Sequence, residues 1–469
     1  MSPRLVVIGG GAAGMSAASA ARRVDPALEI VVLEAGQYAA YGLCGLPYYL
    51  AGTVDTVDDL FAYPPPYFRE TRGIDLRLGA RATDLDLGRR VVRYSQDSKE
   101  RSLGYQKLVV AAGCSPTRPP VPGLDDPRVF TVRALEDAIQ LRGLLDAGRV
   151  GRALIVGAGY IGLEMAEALS ARGATVTVVE ALNQVMPNLD EPMAARVETE
   201  IRRHGVDLRL GARLAGLSRS GEGLVARLGG AAGQDRIPAD VVVVATGVRA
   251  ATSIAAEAGA VTAAGGALLV DDQTRTSLPD VFAAGDCAAV RHRVLGRPAM
   301  VPLGPAANKT GRVAGTVAAG GHASFPGVVG TAVVKVFDLA VARTGLTLAE
   351  ALAEGLPAMA TDAVGKSRAK YYPGSAPVHV RLVHTLDGRL LGAQLVGPGE
   401  GVAKRIDPIA IALQAGFGVG DLLGADLSYA PPYGPVYEPV LLAAQAAVAA
   451  MSSSDRATEP AAQPAVVLP

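Results

Sequence analysis

The apolar residues of this chain fall in short unbroken runs, and the most telling of them end at glycine. Arg4-Leu5-Val6-Val7-Ile8 has the pattern of a parallel strand buried on both faces. It leads into Gly9-Gly10-Gly11-Ala12-Ala13-Gly14 and an alanine-rich helix to about Arg23. A second strand, Glu29 to Leu33, ends at Glu34. The pattern then repeats. Ala153 to Val156 reads as a strand, Gly157-Ala158-Gly159-Tyr160-Ile161-Gly162 as a turn, Leu163 to Arg172 as a helix, and Thr175 to Val179 as a strand ending at Glu180. This is one internal duplication, not a short-period array. Further buried strands run from Lys107 to Gly113 and from Val241 to Thr246, the latter just before Gly247.

Between these units the polar pattern changes. Tyr63-Pro64-Pro65-Pro66 breaks the chain, Tyr67 to Arg72 reads as helix, and Leu76 to Leu87 and Arg90 to Tyr94 read as antiparallel strands. Pro116, Pro119, Pro120 and Pro122 form a rigid connector. Val281-Phe282-Ala283-Ala284-Gly285-Asp286 returns to a strand and turn of the first domain. From about Val328, Thr331 to Phe337, Val378 to His384 and Leu390 to Val396 read as antiparallel strands, with helices at Ile406 to Gln414 and Val440 to Met451. The expected fold class is therefore α/β, with two Rossmann-like nucleotide-binding domains and a C-terminal α+β domain. The expected boundaries are 1–118 with 248–327, then 119–247, then 328–450. Residues 451–469 are polar and Pro/Ala-rich and are expected to be disordered.

Composition narrows the function. A length of 469 residues suits about three domains. Lys plus Arg and Asp plus Glu both number 45, which argues against nucleic acid or an anionic membrane as partner. Three cysteines are too few for a disulfide framework and suit a reduced cytoplasmic protein. A strand starting at Arg4 leaves no room for a signal peptide, and the longest apolar runs are too short to span a bilayer.

Candidate chemistry sits at the turns. Gly9, Gly11 and Gly14, and again Gly157, Gly159 and Gly162, suit a tight turn, close approach of a pyrophosphate, and close helix packing. Glu34 and Glu180 stand where a carboxylate binds a ribose diol. An acid at Glu180 repels a 2′-phosphate and favours NADH, with NADPH left open. Between the two units stands Tyr41-Gly42-Leu43-Cys44-Gly45-Leu46-Pro47-Tyr48-Tyr49-Leu50, a lone thiol with Tyr and not Cys at position 49. Two nucleotides and one thiol suggest an electron path from nicotinamide through flavin to sulfur. Cys114 and Cys287 read as inert packing residues.

On these residues the chain resembles the flavin-dependent pyridine nucleotide–disulfide oxidoreductases, and within them the single-cysteine branch of coenzyme A disulfide reductases, NADH oxidases, NADH peroxidases and polysulfide reductases. Thr246-Gly247 and Gly285-Asp286 match the family's linker and second FAD motifs, with Asp286 on the ribityl side of FAD. Gly113 closes the adjoining strand. Pro302-Leu303-Gly304-Pro305-Ala306-Ala307-Asn308-Lys309 resembles the segment whose helix N-terminus faces the flavin. The resemblance implies that Tyr160 covers the flavin and that Glu164 lies near the nicotinamide. The lysine with which that glutamate pairs in dithiol relatives is missing from its usual place. Lys335 to Leu339, Ala342 to Gly345, Tyr371-Tyr372-Pro373-Gly374 and Tyr429-Ala430-Pro431-Pro432-Tyr433 resemble the branch's dimerisation domain, which implies a homodimer.

The resemblance further implies that Cys44 is the redox-active thiol, with a lowered pKa beside a flavin and a helix N-terminus. Tyr371 and Tyr429 would reach the partner subunit's cysteine, with Tyr372 competing for the first role. Ser16 and Arg23 match positions that hold coenzyme A, and Lys366, Arg368 and Lys370 add positive charge for phosphates. Ala40 and Leu43 replace a serine and an asparagine found before the cysteine in coenzyme A disulfide reductases. The five histidines lie outside every motif, and Ala12 and Ala13 stand where peroxidase relatives carry one. The expected cofactors are FAD and NADH, with coenzyme A as substrate or bound thiol and no metal. The leading activity is reduction of a low-molecular-weight disulfide, foremost coenzyme A disulfide, or of a polysulfide or persulfide. Alternatives are an NADH oxidase cycling Cys44 through a sulfenic acid, a redox-sensing scaffold with little turnover, and a ferredoxin reductase, against which the Cys44 segment speaks.

Overall fold

A computed structural model describes residues 4–230 and 235–458. They form two compact units. One comprises the chain through Asn183 together with Val206–Val328; the other comprises Gln184–Gly205 together with the chain from Val329 onward.

The first unit holds two five-stranded parallel sheets. In one, the strands lie in the order Val281–Ala283, Lys107–Val110, Arg4–Ile8, Glu29–Leu33, Asp75–Arg77. In the other, the order is Val129–Phe130, Val241–Val244, Arg152–Val156, Thr175–Val179, Asp207–Arg209. The three inner strands of each sheet correspond one to one. The apolar runs explain this, since Leu5, Val6 and Val7, and Leu154 and Ile155, are fully buried. Each such side chain contributes about 1.5–3 kcal/mol against exposure. The sheets are linked where Cys114–Pro116 and Val248–Ala250 pair antiparallel, so the chain leaves the first sheet and returns beside its own exit.

Three expectations are corrected. The predicted strand Leu76 to Leu87 is two strands, Asp75–Arg77 in the parallel sheet and Arg81–Asp86 in an antiparallel sheet with Val91–Gln96 and Lys99–Gly104. Gly79, at φ +65°, turns the chain between them. Residues 184–205, placed by sequence in the second nucleotide-binding domain, belong to the C-terminal unit. Their helix, Glu191–Arg203, buries Met193, Ala194, Val197 and Ile201. The Asp190 carboxylate accepts bonds from Arg381 at 3.0 Å and Gln394 at 2.6 Å, and Arg203 bonds both Glu200 and Asp338. A bonded, buried ion pair of this kind is costly to break from one side. The tail expected to be disordered from residue 451 begins as helix, because Pro439–Thr458 is continuous. Its alanine-rich stretch, a strong helix former, carries the helix on. Residues 459–469 lie outside the described residues.

The second unit is built on a five-stranded antiparallel sheet, ordered Ala332–Val336, Leu339–Gly345, Leu390–Pro398, Pro377–Thr385, Ala358–Lys366. Helices Ile406–Ala415 and Pro439–Thr458 pack on it. Among the described residues no helix is long and apolar enough to cross a membrane.

Candidate active site

The two glycine turns share one geometry. Gly9 and Gly157 adopt φ +104° and +108°, and a Cβ there would stand 2.2 Å from the Ala111 carbonyl oxygen and 2.4 Å from that of Ala245. Only glycine fits either place. Around Gly11 and Gly159 a Cβ would meet nothing within 4 Å, which leaves room for a ligand against the first turn of each following helix. Neither helix, Ala12–Val24 or Tyr160–Ala171, has a side-chain N-cap, so first-turn N–H groups are available to an anion. The Glu34 carboxylate accepts from Gly10 N at 2.6 Å and Gly36 N at 2.7 Å. Glu180 accepts from Ala158 N at 2.8 Å and Leu182 N at 2.9 Å. These open, donor-rich turns fit two dinucleotides.

The thiol loop is tied to the first turn. Ala40 N donates to Gly10 O at 2.9 Å, and Gly42 N donates to Leu60 O at 2.7 Å. Ala40 takes a left-handed φ of +57°, which costs a residue with a Cβ about 1 kcal/mol. Cys44 comes next in a single 3₁₀ turn, Leu43–Gly45, and is exposed. The next helix, Leu46–Ala51, packs against Tyr160–Ala171, the helix that opens at the second glycine turn. Tyr48 and Glu164 meet there, with Oη donating to Oε1 at 3.5 Å. Burial pushes the Glu164 carboxyl up to about 7, with Glu167 adding to the shift and the Tyr48 hydroxyl opposing it.

The sequence expected a lowered pKa for Cys44. The groups of this chain do the reverse. Partial burial raises the thiol first, the charges of Glu164 and Asp286 raise it further, and only Arg133 among nearby ions lowers it. A six-residue helix carries too small a dipole to outweigh two carboxylates.

Asp286 is held by Arg133 Nη2 at 3.2 Å and by the Cys114 thiol at 3.3 Å, while Arg133 Nε donates to Cys114 O at 3.2 Å. The Cys114 thiol is pushed up to about 12 and that of Cys287 to about 11, mainly by burial, so both stay protonated. Arg133 and Tyr48 were missed by the sequence reading. Arg133 adjoins Val132, whose φ of +48° is an outlier for a β-branched residue and marks local strain. That signal is invisible in sequence. Tyr48 had one visible signal, its spacing of one helical turn from Cys44.

Gly113 and Gly247 flank the two-stranded link, at φ +70° and +98°. Gly285, at φ +78°, abuts Ala13, and its N–H donates to Thr310 Oγ1 at 3.0 Å. Ala306 lies in the first turn of helix Gly304–Ala318, whose Gly311 and Gly315 let it press against Ala13 and Ala17 of the first helix. There Ser16 Oγ donates to Asn308 Oδ1 at 2.7 Å, and Arg23 is exposed on the same helix as Ser16.

In the second unit Tyr371 and Tyr429 are exposed, and the neighbouring Tyr371 hydroxyl is the main cause raising the Tyr429 phenol. Tyr372 instead lies under the Arg368 guanidinium, 5.8 Å from ring centre to Cζ. Arg368 also lines a cavity of about 410 Å³ with Gly399, Glu400 and Tyr433, while Lys366 is exposed on the preceding strand. The sequence-predicted residues thus gather at the two glycine turns, at the Cys44 loop, and at this tyrosine pair.

Two dinucleotide turns flanking one exposed thiol define a pyridine-nucleotide-dependent thiol oxidoreductase. Residues 3–319 match the family model described as pyridine nucleotide-disulphide oxidoreductase, and residues 331–439 match that family's dimerisation domain. The chain belongs to this family. It is 39% identical to the NAD(P)H coenzyme A polysulfide/persulfide reductase of Pyrococcus horikoshii, over 92% of this chain and 96% of that protein. It is 34% identical to the NADH oxidase of Methanocaldococcus jannaschii, over 92% and 95%. Among solved structures, the NAD-dependent persulfide reductase from A. fulgidus matches with a TM-score of 0.91 at 40% identity, covering 96% of this chain and 84% of that one.

Proposed function

We propose that this enzyme uses NADH, through FAD, to reduce a low-molecular-weight disulfide, persulfide or polysulfide at Cys44, with coenzyme A disulfide the leading substrate. One observation carries the reading. The thiol loop hangs from the first glycine turn through Ala40 N–Gly10 O, while the helix leaving the second turn brings Glu164 to Tyr48, one turn beyond Cys44. When bound, FAD and NADH supply a two-electron reductant. The chain's residues do the rest. The Gly9 and Gly157 turns would hold the pyrophosphates, Glu34 and Glu180 would hold ribose hydroxyls, and Asp286 with Arg133 and the N-terminus of helix Gly304–Ala318 would contribute to holding FAD. Ser16, Asn308 and Arg23 would form the coenzyme A side; in the second unit, Lys366 and Arg368 offer positive charge suited to phosphates.

The Cys44 thiolate attacks one sulfur of the disulfide, the S–S bond breaks, and the departing thiolate takes a proton. The overall balance is one disulfide, one NADH and one proton giving two thiols and NAD⁺. The names of the Pyrococcus and A. fulgidus relatives favour sulfur over oxygen as acceptor. The dimerisation domain supports a homodimer. The exposed Tyr371–Tyr429 pair suits completion of the partner's site, where a phenol could protonate the leaving sulfur. Three unpaired cysteines suit the cytoplasm.

The test is NADH consumption by FAD-loaded protein, with coenzyme A disulfide under anaerobic conditions and with air alone. Fast anaerobic turnover yielding free thiol, lost in Cys44→Ser with FAD retained, is the expected result. Slow anaerobic turnover with fast oxygen uptake would move the assignment to the oxidase of the M. jannaschii kind. Slow cycling with every acceptor would indicate a sensor.

A further inference from the structure

Three carboxylates of the first unit stand at turns, and they are held in two different ways. Glu34 and Glu180 each commit both oxygens to backbone N–H groups. Asp286 is held by side chains, and through one oxygen. Its Oδ2 accepts from Arg133 Nη2 at 3.2 Å and from the Cys114 thiol at 3.3 Å, while among the described residues no donor is bonded to Oδ1. The three residues close a ring, because Arg133 Nε donates to the Cys114 carbonyl oxygen at 3.2 Å. The ring is anchored on paired backbone. Cys114 opens strand Cys114–Pro116, which pairs with Val248–Ala250, and Asp286 lies in the 3₁₀ turn Gly285–Cys287. Gly113, at φ +70°, stands beside the guanidinium, where a Cβ would lie 3.3 Å from Arg133 Nη2. Cys287 gives the contrast. It is fully buried, and its thiol donates to the backbone carbonyls of Val110 at 3.4 Å and Ala284 at 3.3 Å, as a packing residue does.

We propose that Cys114, which the sequence presents as inert packing, is a positioning residue: its S–H and the Arg133 guanidinium together pin one oxygen of Asp286, so that the other is presented to a hydroxyl of the FAD ribityl chain. The proposal rests on the reading of Asp286 as an FAD ligand. Two donors on one oxygen fix the rotation of the carboxylate, which a single donor does not. The second oxygen then meets a hydroxyl without the entropy cost of ordering its own side chain. An S–H is a weak donor, but a bond to an anion is charge-assisted. Burial pushes the thiol up to about 12, so the donor persists at neutral pH. Cys114 acts through Asp286 and takes no part in the chemistry at Cys44.

The experiment is titration of FAD into the full chain stripped of its flavin, followed by flavin fluorescence. Cys114→Ala should raise the Kd for FAD about fivefold, the size expected when one hydrogen bond is lost. Cys114→Val, which fills the space in a strand but has no donor, should do the same. Cys114→Ser keeps a donor in place and should stay within about twofold of the parent. The decisive arm is a double variant. Asp286→Ala alone should raise the Kd about 50-fold, and adding Cys114→Ala to it should change little further, because the thiol then has no carboxylate to hold. An unchanged Kd in Cys114→Ala and Cys114→Val would overturn the proposal. So would losses that add in the double variant, or a Cys114→Ser variant as weak as Cys114→Ala; either would return Cys114 to packing. A parent-like Kd in Asp286→Ala would instead overturn the reading of Asp286 as an FAD ligand, and the proposal with it.

Discussion

The two glycine turns are near-copies in backbone and differ in what is attached to them. Gly9 and Gly157 approach a neighbouring carbonyl to within 0.2 Å of the same distance (2.2 and 2.4 Å to a built Cβ), and Glu34 and Glu180 are each clamped by two backbone N–H groups. Yet only the first turn carries a loop with a thiol, through Gly10 O, and only the second launches a helix that brings a carboxyl to Tyr48, four residues beyond that thiol. Duplication supplies two equivalent glycine turns, each proposed to cradle a pyrophosphate. Chemistry comes from the unequal attachments, so the order of the electron path is set by the loop fastened to one turn and the helix launched from the other.

The sharpest way to break this comparison is to make the same change in both copies. Gly9→Ala and Gly157→Ala each force a Cβ against a carbonyl at a positive φ, which strains the turn by at least 1–2 kcal/mol before the clash is counted. Gly9→Ala should yield protein lacking FAD, seen as loss of flavin absorbance after desalting. Gly157→Ala should keep FAD and raise the KM for NADH by about 100-fold or more. If both variants lost FAD, or both kept normal NADH kinetics, the two turns would not be separate cradles.

The sequence carried the local half of this picture. Gly9, Glu34, Gly157 and Glu180 are legible because strand, turn and helix periods run in register over about 30 residues. Cys44 is legible because its residue type stands out. The meeting of Tyr48 with Glu164 joins residues 116 apart, and that of Arg133 with Asp286 joins residues 153 apart. No short-range pattern encodes either, so the raised Cys44 thiol was also hidden. The allegiance of helix Glu191–Arg203 depends on Asp190 finding Arg381 and Gln394, again a long-range event. The split at Gly79 was within reach, since a glycine inside a strand pattern signals a bend.

A middle-sized effect comes from Glu164. Its carboxyl titrates at about 7 in the folded protein against an ordinary 4.5, mainly through burial. Between those values the native state holds a proton that the unfolded state has released, so this group's contribution is full below pH ~4.5 and lost as pH rises through ~7. Discounted for partial exposure, the loss is about 2 kcal/mol. Glu164→Gln should therefore match the parent's Tm at pH 5 and exceed it by about 4 °C at pH 8. A Tm difference independent of pH would show that Glu164 is charged throughout.

The smallest effect tests whether the second carboxylate reads the ribose. Glu180 is 9% exposed and accepts two backbone bonds, so Glu180→Ala leaves Ala158 N and Leu182 N without that acceptor, at about 1–3 kcal/mol. Part of this cost falls on the turn itself, which the nucleotide phosphates help to hold, so both nucleotides should bind more weakly. The remainder is selective. NADH loses a diol contact, whereas NADPH loses a repulsive neighbour. The ratio of kcat/KM for NADH over NADPH should fall about tenfold, or ~1.4 kcal/mol, while FAD content stays unchanged because Glu34 is intact. An unchanged ratio with both KM values raised equally would reduce Glu180 to a brace for the turn. The duplication would then extend to backbone architecture, and nucleotide choice would have to come from residues outside the repeated unit.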